Sequence, residues 1–393
     1  MRANTIKRRP FGNSGLMVTE LSFGAMNVQR LPDHPTVIQL INAILDKGVN
    51  LIDTARGYDS KDENGNIRIS SEMMVGQVLA SRTDIDETIV IVTKGHAYTP
   101  EDFDRSLSES IERLQIRQED GQLYIGSTQI FLVYCLHGIS AERWPTITTS
   151  GVLDLAKKRK EEGLFHYLGF SSHYGDSAII KEAIESGHFQ ACELTYNVYN
   201  PSLGEEGETD ILKLAYDHGM GIVNMKAFNG NGTVEIFKQL QDITGVTHGD
   251  MARFCLSNPH ISAIDAGVRS IDEFNVDEAA SLLPVMLPEE RAALREKAKA
   301  ISPYLNKICR ECLHCVEKFE CPQGVDFPHI LSIHGRYSIS KSLGLETARY
   351  LEDYAKFSPD ATGCVACGNC NEWCDYHLKI PEMMAAAAAD LAK

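Results

Sequence analysis

Short apolar runs alternate with amphipathic stretches from about residue 20 to residue 285 of this 393-residue chain. Several runs are almost continuously apolar, which is typical of parallel strands that helices cover on both faces. Between the runs, apolar positions recur at helical spacing, as in 35–47, where they share one face between Pro35 and Gly48. The eight strand candidates are 21–26, 49–53, 88–94, 129–135, 166–171, 191–196, 221–226 and 262–267.

Eight β/α units in about 265 residues match the size of a (β/α)8 TIM barrel. An open, doubly wound sheet is the rival interpretation. It is disfavoured because no strand candidate is followed by the G-x-G-x-x-G spacing, which the glycine-rich segment 226–232 also lacks. The sequence therefore predicts an α/β protein whose barrel occupies residues 1–287.

A second, smaller domain is predicted after the barrel. A charged helix that begins at Pro288 predicts a bridge over 288–301. Eight of the 11 cysteines follow residue 305, in two matched runs. The runs are Cys309, Cys312, Cys315 and Cys321, and then Cys364, Cys367, Cys370 and Cys374. We expect 302–393 to form a mainly helical, ferredoxin-like iron–sulfur domain.

Three cysteines separated by two-residue gaps can hold three corners of an iron–sulfur cubane, and a more distant thiolate completes it. In two-cluster ferredoxins the fourth cysteine of each run serves the other cluster. The pattern predicts one [4Fe–4S] cluster on Cys309, Cys312, Cys315 and Cys374, and another on Cys364, Cys367, Cys370 and Cys321. Structural zinc is the alternative, although zinc sites usually pair two C-x-x-C knuckles without a third cysteine at the same two-residue spacing.

Composition narrows the function classes. A formal net charge of −16 disfavours nucleic-acid or anionic-membrane partners, because both need a basic face. No stretch reaches the roughly 20 apolar residues that cross a bilayer, and the basic N-terminus lacks the apolar core of a signal peptide. We expect a cytoplasmic protein whose cysteines bind metal rather than form disulfides.

Four chemistry-bearing residues follow successive strand candidates: Asp53, Tyr58, Lys94 and His137. TIM-barrel active sites lie at the C-terminal ends of strands. A carbonyl that receives hydride needs a proton, which a phenol can give if a nearby ammonium lowers its pKa. A carboxylate would hold the lysine, and a histidine would orient the substrate oxygen. Each residue alone also has a structural explanation, but four in this order favour an active site.

Segments along the barrel resemble one known family. They are 7–18 with the strand LSFGAM after it, LIDTARGY (51–58), TKG (93–95), CLHG (135–138), LGFSSH (168–173), TYN (195–197), MKAFNGNG (225–232), FCLSNP (254–259) and AGVRS (266–270). Together they make the barrel similar to the aldo-keto reductases, and with the cysteine runs the chain resembles their ferredoxin-fused branch. The resemblance implies an NADPH cofactor and redox chemistry on a small-molecule carbonyl or alcohol.

The resemblance also implies residue roles. Tyr58 matches the proton donor, Lys94 and Asp53 the residues that tune it, and His137 the substrate-orienting residue. The cofactor contacts implied are Ser171, Ser172, Glu193, Met225, Arg269 and Ser270.

Four of those cofactor positions depart from the family pattern or set its cofactor preference. Ser172 stands where the family has the asparagine of a serine–asparagine pair that binds the nicotinamide amide. Glu193 replaces a usual glutamine beside the nicotinamide amide, and Met225 replaces the tyrosine that stacks on the nicotinamide. Arg269 falls in the segment that grips the adenosine 2′-phosphate, which favours NADPH.

Two stretches look inserted relative to the family. The first, 59–69, directly follows Tyr58, so it is expected to shape the substrate pocket or dock a partner, because loops after barrel strands line the site. The second, 118–127, is expected to be a surface excursion.

Three functions remain open. The leading hypothesis is an NADPH-dependent carbonyl reductase or alcohol dehydrogenase with an attached cluster domain. Because nicotinamides give electron pairs and clusters take single electrons, the alternative is an electron-transfer protein that works with a flavoprotein or ferredoxin partner. A non-enzymatic sensor that keeps NADPH ranks third.

Overall fold

The computed structural model describes residues 6–173, 176–228, 244–299, 308–309, 315–316, 319–342, 344, 346–374 and 378–391. Its strands are β1 (Arg8–Pro10), β2 (Met17–Thr19), β3 (Leu21–Gly24), β4 (Leu51–Asp53), β5 (Asp59–Lys61), β6 (Ile67–Ser70), β7 (Ile89–Gly95), β8 (Ile116–Glu119), β9 (Gln122–Ile125), β10 (Thr128–Leu136), β11 (Tyr167–Ser172), β12 (Ala191–Thr195), β13 (Gly221–Met225) and β14 (Ala263–Ala266).

The helices described are α1 (His34–Asp46), α2 (Ser71–Ser81), α3 (Pro100–Arg113), α4 (Trp144–Thr149), α5 (Val152–Glu161), α6 (Ser177–Glu185), α7 (Ile211–Asp217), α8 (His248–Leu256), α9 (Ile271–Ser281), α10 (Pro288–Lys299), α11 (Phe327–Ser342), α12 (Ala348–Tyr354) and α13 (Ile380–Leu391). Short 3-10 helices cover Ala25–Arg30, Ala361–Gly363 and Asn369–Trp373. Within the described ranges, no helix is long and apolar enough to span a bilayer.

The chain divides into two compact units. The barrel unit comprises Met1–Asn197, Pro201–Ala227 and Gly249–Leu287. The C-terminal unit comprises Pro288–Lys393 with two segments drawn from the range predicted for the barrel, Val198–Asn200 and Phe228–His248.

Eight parallel strands close into a barrel in the order β3, β4, β7, β10, β11, β12, β13, β14, with β14 paired back to β3. This confirms the predicted (β/α)8 fold, and every strand candidate forms a strand. The predicted helix 35–47 forms as α1, whose N-cap Asp33 accepts a hydrogen bond from the Thr36 amide at 2.9 Å.

Both inserted stretches form hairpins. β5 and β6 pair antiparallel directly after Tyr58. β8 and β9 pair with each other, and β9 pairs antiparallel with the first residues of β10. The second insert, expected as a surface excursion, therefore extends the barrel sheet by two strands.

A β1–β2 hairpin supplies apolar side chains to the barrel interior. Phe11 and Val18 are fully buried in one cluster with interior side chains of six barrel strands, namely Leu51, Val90, Val92, Val133, Cys135, Ala191, Val223 and Ala263. A Cβ on Gly221 would lie 2.6 Å from the Phe11 ring, so this position has no room for a side chain. We call this cluster the apolar floor.

The C-terminal unit has its own core, to which α11, α12 and α13 contribute side chains such as Leu331, Tyr350 and Met384. His334 on α11 and Asp390 on α13 lie 2.8 Å apart, between Nε2 and Oδ2, and join the two helices. The predicted charged helix after the barrel forms as α10.

Phe11→Ala should lower the free energy of unfolding of the barrel by about 3–5 kcal/mol, because it empties a fully buried aromatic position. Denaturant unfolding followed by far-UV circular dichroism measures the change. Met17→Ala, on the 48% exposed position of the same hairpin, is the control and should change stability little. Equal effects of the two substitutions would show that Phe11 does not support the floor.

Candidate functional site

The structure brings the four predicted catalytic side chains together at the C-terminal ends of neighbouring strands. Asp53 ends β4, Lys94 lies near the end of β7, His137 directly follows β10, and Tyr58 lies in the loop after β4. Their exposed fractions are 5%, 1%, 6% and 7%, respectively. The strand order places β4, β7 and β10 side by side, so residues far apart in sequence share one pocket.

Lys94 lies at the centre of this group. Its Nζ donates a hydrogen bond to Asp53 Oδ1 and lies 5.4 Å from the centroid of the Tyr58 ring. The Tyr58 and His137 rings meet edge to face, with centroids 6.1 Å apart. The arrangement sets a phenol between an ammonium and an imidazole.

Glu193 makes a contact that the sequence did not predict. It lies on β12, is 3% exposed, and its Oε1 accepts a hydrogen bond from Lys94 Nζ at 3.0 Å. The expectation from the family pattern was a contact with the nicotinamide amide. In the structure Lys94 lies between two carboxyl groups, those of Asp53 and Glu193.

Asp265 on β14 adds a third carboxyl, which the sequence analysis missed. It is half-buried, and its Oδ1 accepts a hydrogen bond from Ser22 Oγ at 3.1 Å. A Cβ on Gly24 would lie 2.4 Å from Asp265 Oδ2, so glycine is required at Gly24 for this close approach. The available signal was an acidic residue within the otherwise apolar strand Ala263–Ala266.

Burial and mutual repulsion control the protonation of these groups. Burial, reinforced by the Glu193 carboxylate and opposed by Lys94, raises the pKa of Asp53 well above its usual range. Burial also raises the pKa of Asp265 to about 7. Burial opposes the charge on Lys94, yet Asp53 and Glu193 together raise the pKa of Lys94 well above its usual range. The lysine therefore stays an ammonium.

The Tyr58 phenol behaves differently from the sequence-based expectation. Burial raises the pKa of Tyr58 well above its usual range, and the three carboxyls add to the rise. Lys94 lowers the pKa as expected, but its effect is smaller than the rise that burial causes. The phenol is therefore protonated at neutral pH.

Three histidines follow the ends of adjacent strands. His96 follows β7, His137 follows β10 and His173 follows β11. The His96 and His137 rings stack with centroids 4.2 Å apart and planes 10° apart, and the His173 ring lies 5.7 Å from that of His137. The sequence analysis singled out only His137, although the positions of the other two after strand ends were visible.

The two serines expected at the nicotinamide are buried on β11. Ser171 Oγ accepts a hydrogen bond from the Gly138 amide at 2.8 Å, and Ser172 Oγ lies 3.4 Å from the Ile139 carbonyl. Met225, at the end of β13, pairs in register with Thr195. Thr195 Oγ1 is buried without a hydrogen-bond partner within the described residues, so it offers a polar group for a ligand.

Arg269 and Ser270 lie at the start of α9. Ser270 is the N-cap, and its Oγ accepts a hydrogen bond from the Glu273 amide at 3.2 Å. Arg269 is 46% exposed, and its Nε lies 3.9 Å from Glu273 Oε1. A helix N-terminus beside an arginine suits a phosphate, although Glu273 competes for the arginine.

In the C-terminal unit, four cysteines line one cavity. They are Cys321, Cys364, Cys367 and Cys370, the set predicted from the cysteine spacing for the second cluster, and they are free thiols. Burial raises the pKa of Cys370 to about 11, and the three neighbouring thiols add to the rise. The thiols thus converge, and thiolates at these positions would repel one another without a cation between them.

The set predicted for the first cluster is described in part. Cys315 belongs to the core of the C-terminal unit, and Cys309 and Cys374 pack against it. Cys312 lies outside the described residues, as do residues 229–232 of the family-like segment 225–232. Across the described ranges, no group of three or more His, Cys, Asp or Glu side chains is placed to hold a metal ion.

A closed parallel barrel with a buried lysine–carboxylate group at its C-terminal end defines a TIM-barrel protein with an enzyme-like site. The model of the aldo/keto reductase family matches residues 20–245, more than half of the chain, so the chain belongs to this family.

Named relatives are similar to the chain in sequence, and solved structures are similar to it in fold. The chain is 29% identical over 118 residues to a 6-dehydroglucose reductase of Novosphingobium aromaticivorans, covering 28% of this chain and 38% of that protein. It is 26% identical over 251 residues to the aldo-keto reductase AMT2 of Alternaria alternata, covering 57% of this chain and 65% of that one. The alignments thus span less than two thirds of either relative.

A solved structure, the holo form of aldo-keto reductase AKR11C1 from Bacillus halodurans, matches 75% of this chain and 97% of its own, with a TM-score of 0.57. At 21% identity it shows a shared fold.

Asp265→Asn should stabilise the barrel at pH 8 and leave its stability unchanged near pH 4. The raised pKa means that the folded state holds a proton which the unfolded state releases, so the wild type loses stability as the pH rises from about 4 to about 7. We expect a gain of about 2 kcal/mol at pH 8, allowing for the partial exposure of the carboxyl. Denaturant unfolding across this pH range measures it.

The control for that experiment is Asp86→Asn, which removes an exposed carboxyl from the same unit. It should show no gain that grows with pH. A wild-type-like pH dependence in Asp265→Asn would contradict the raised pKa.

Proposed function

We propose that the barrel unit reduces the carbonyl group of a small molecule with NADPH. The observation that carries the proposal is the buried, protonated Tyr58 phenol beside the Lys94 ammonium and the His137 ring. The phenol is protonated at neutral pH, so it carries the proton that the carbonyl oxygen needs when it receives hydride.

In this proposal Tyr58 donates its proton to the carbonyl oxygen, which becomes the alcohol oxygen. The Lys94 ammonium stabilises the phenolate that remains, because it lies over the ring and is held by Asp53. His137 contacts the same space and orients the carbonyl oxygen by a hydrogen bond. Its ring is fixed by stacking on His96.

NADPH supplies the hydride when it is bound. The residues that would hold it are Ser171 and Ser172 near the nicotinamide, with Arg269 and Ser270 at the adenosine phosphate. The Thr195 hydroxyl, which has no hydrogen-bond partner among the described residues, and the N-terminus of α9 support this fit, because each offers polar groups suited to an amide or a phosphate. Glu193 Oε1 accepts a hydrogen bond from Lys94 Nζ.

Tyr58→Phe should lower kcat for NADPH-dependent carbonyl reduction by about 10²–10⁴-fold, because the proton donor is lost. A panel of aldehydes and ketones, followed through the loss of NADPH absorbance, measures it. Tyr216→Phe, which alters a 53% exposed tyrosine on the barrel surface, is the control and should keep wild-type rates. Undiminished turnover in Tyr58→Phe would refute the mechanism.

We further propose that the C-terminal unit holds two [4Fe–4S] clusters, as in the ferredoxin-fused branch of the family. Support comes from the cavity that Cys321 shares with Cys364, Cys367 and Cys370. Cys321 lies 43 positions before Cys364 in the sequence, yet it lines the same cavity as the three later cysteines. Apolar side chains such as Phe327 and Met384 line the rest, which suits a cluster shielded from water.

Electron transfer to a partner is the second candidate function. The clusters would supply one-electron chemistry, which a nicotinamide hydride does not feed directly. Cys367 is exposed whereas Cys370 is buried, so one side of the proposed cluster site faces solvent. That exposure favours exchange with a ferredoxin or flavoprotein over a purely structural role.

Cys321→Ser should reduce the iron content of anaerobically reconstituted protein from about eight atoms per chain towards about four, since it removes one ligand of one cluster. Iron and acid-labile sulfide analysis, with electron paramagnetic resonance of the reduced protein, gives the measurement. Cys192→Ser, in the barrel, is the matched control and should keep the full content. Zinc without sulfide in the wild type would overturn the cluster proposal.

A further inference from the structure

Two histidines and an arginine lie beside His137 at the C-terminal end of the barrel. His96 follows β7 and His173 follows β11, the two strands that pair with β10 on either side. The centroid of the His137 ring lies 4.2 Å from that of His96 and 5.7 Å from that of His173. Arg143 comes six residues after His137 in the sequence. These basic side chains therefore adjoin the place proposed for the carbonyl group.

The three basic side chains around His137 converge on Gly138. The φ angle of this residue is +76°, in the left-handed region that favours glycine. A Cβ built there would lie 2.8 Å from Arg143 Nη1, 3.8 Å from His96 Cε1 and 4.0 Å from His173 Cδ2. The three nearest atoms thus come from three different basic side chains. The side of Gly138 that lacks a side chain faces a position that these three side chains surround.

Arg143 brings a cation whose hydrogen-bonding capacity is mostly unused. Its Nη1 donates to the Gly138 carbonyl oxygen at 2.7 Å, and its guanidinium carbon lies 5.5 Å from the centroid of the Tyr98 ring. Among the described residues, no Asp or Glu forms an ion pair with Arg143. A guanidinium carries five N–H donors in a planar fork that matches a carboxylate or a phosphate. The side chain is therefore held in place with donors left for an anion.

Hydrogen bonds also fix the orientation of the His96 ring. The Tyr98 hydroxyl donates to the His137 carbonyl oxygen, so the hydrogen in the 3.0 Å contact between Tyr98 Oη and His96 Nδ1 belongs to the imidazole. In the neutral ring Nε2 then carries no hydrogen, whereas the imidazolium donates from both nitrogens. Because His96 is exposed, it can take up this proton from solvent and keep its bond to Tyr98.

From this convergence we propose that the substrate carries an oxyanion, a carboxylate or a phosphate monoester, which binds Arg143 and His96 next to Gly138. Charge-assisted hydrogen bonds of this kind are about twice as strong as neutral ones. The assignment rests on the proposed carbonyl reduction and deepens it by naming the class of substrate. Arg143 and His96 determine specificity in this arrangement and take no part in proton transfer.

The spacing of the rings limits where the oxyanion lies in the substrate. The carbonyl group is proposed to bind between Tyr58 and His137, whose ring centroids are 6.1 Å apart, and His96 stacks directly on His137. The charged group is therefore only a few bonds from the carbonyl carbon. A neutral carbonyl compound would leave the Arg143 donors to water, so we expect the site to discriminate against it by about 10–100-fold, the value of one or two hydrogen bonds to a charged group.

Two matched pairs of aldehydes test the proposal. Para-carboxybenzaldehyde is compared with its methyl ester, and glyceraldehyde phosphate with glyceraldehyde, by measuring kcat/KM through the loss of NADPH absorbance. We expect the wild type to prefer the charged member of at least one pair by about 10–100-fold. The pair that shows the preference identifies the oxyanion as a carboxylate or a phosphate. Equal values within both pairs would overturn the proposal.

Arg143→Gln should lower the ratio of kcat/KM for the charged aldehyde to that for the neutral one by about ten-fold or more. His96→Phe, at an exposed position, keeps a ring to stack on His137 but loses both nitrogens, and should lower the ratio as well. Arg105→Gln is the control, because it removes an arginine whose side chain is 62% exposed on α3 of the same unit, and should keep the wild-type ratio. An unchanged ratio in Arg143→Gln would contradict the proposal, and His96→Phe decides if Arg143→Gln fails to fold.

Isothermal titration calorimetry of the full chain with NADP⁺ gives a readout that needs no turnover. The probes are the alcohols that correspond to the aldehydes, para-(hydroxymethyl)benzoate with its methyl ester and glycerol phosphate with glycerol. If a charged alcohol binds more tightly and Arg143→Gln abolishes the difference, yet no aldehyde is reduced, the proposed function fails while the oxyanion site stands. If all four aldehydes are reduced and the charged alcohols bind no more tightly than the neutral ones, the function stands and the oxyanion site is refuted.

Discussion

The ammonium of Lys94, buried between the carboxylates of Asp53 and Glu193, is the interaction on which the candidate site depends. An ammonium or a carboxylate buried alone would be strongly destabilising, so the buried ammonium and its carboxylate partners compensate one another. Parallel strands achieve this because their C-terminal ends meet on one side of the barrel. The apolar floor fills the barrel interior next to these charged groups, and the Tyr58 and His137 rings lie beside Lys94.

Much of this site was predictable from sequence, for a physical reason. Residues that follow successive parallel strands converge at one end of a barrel, so Asp53, Lys94 and His137 were expected to meet. Contacts across the barrel were not predictable in the same way. Glu193 reaches Lys94 from β12, which is the third strand after β7 around the barrel. Asp265 has space for its carboxyl group only because Gly24 has no side chain.

The protonation of Tyr58 shows a further limit of sequence reasoning. Neighbour identity alone predicts that Lys94 lowers the pKa of the phenol. The sign of the net effect depends on burial and on how many carboxyls share the lysine, and both are properties of the folded interior. The cysteine spacing grouped Cys321 with Cys364, Cys367 and Cys370, and these four side chains line one cavity in the structure.

The hairpin of β8 and β9 has a consequence for the behaviour of the protein at high concentration. A closed barrel has no free strand edge, but this hairpin adds one, since β8 ends the row of paired strands. Unpaired edges invite other chains to add strands and aggregate. Here the edge is short, and three of its four residues are polar and exposed, namely Arg117, Gln118 and Glu119. Arg117 and Glu119 carry opposite charges on that edge, which keeps it hydrated and discourages a second molecule from docking there.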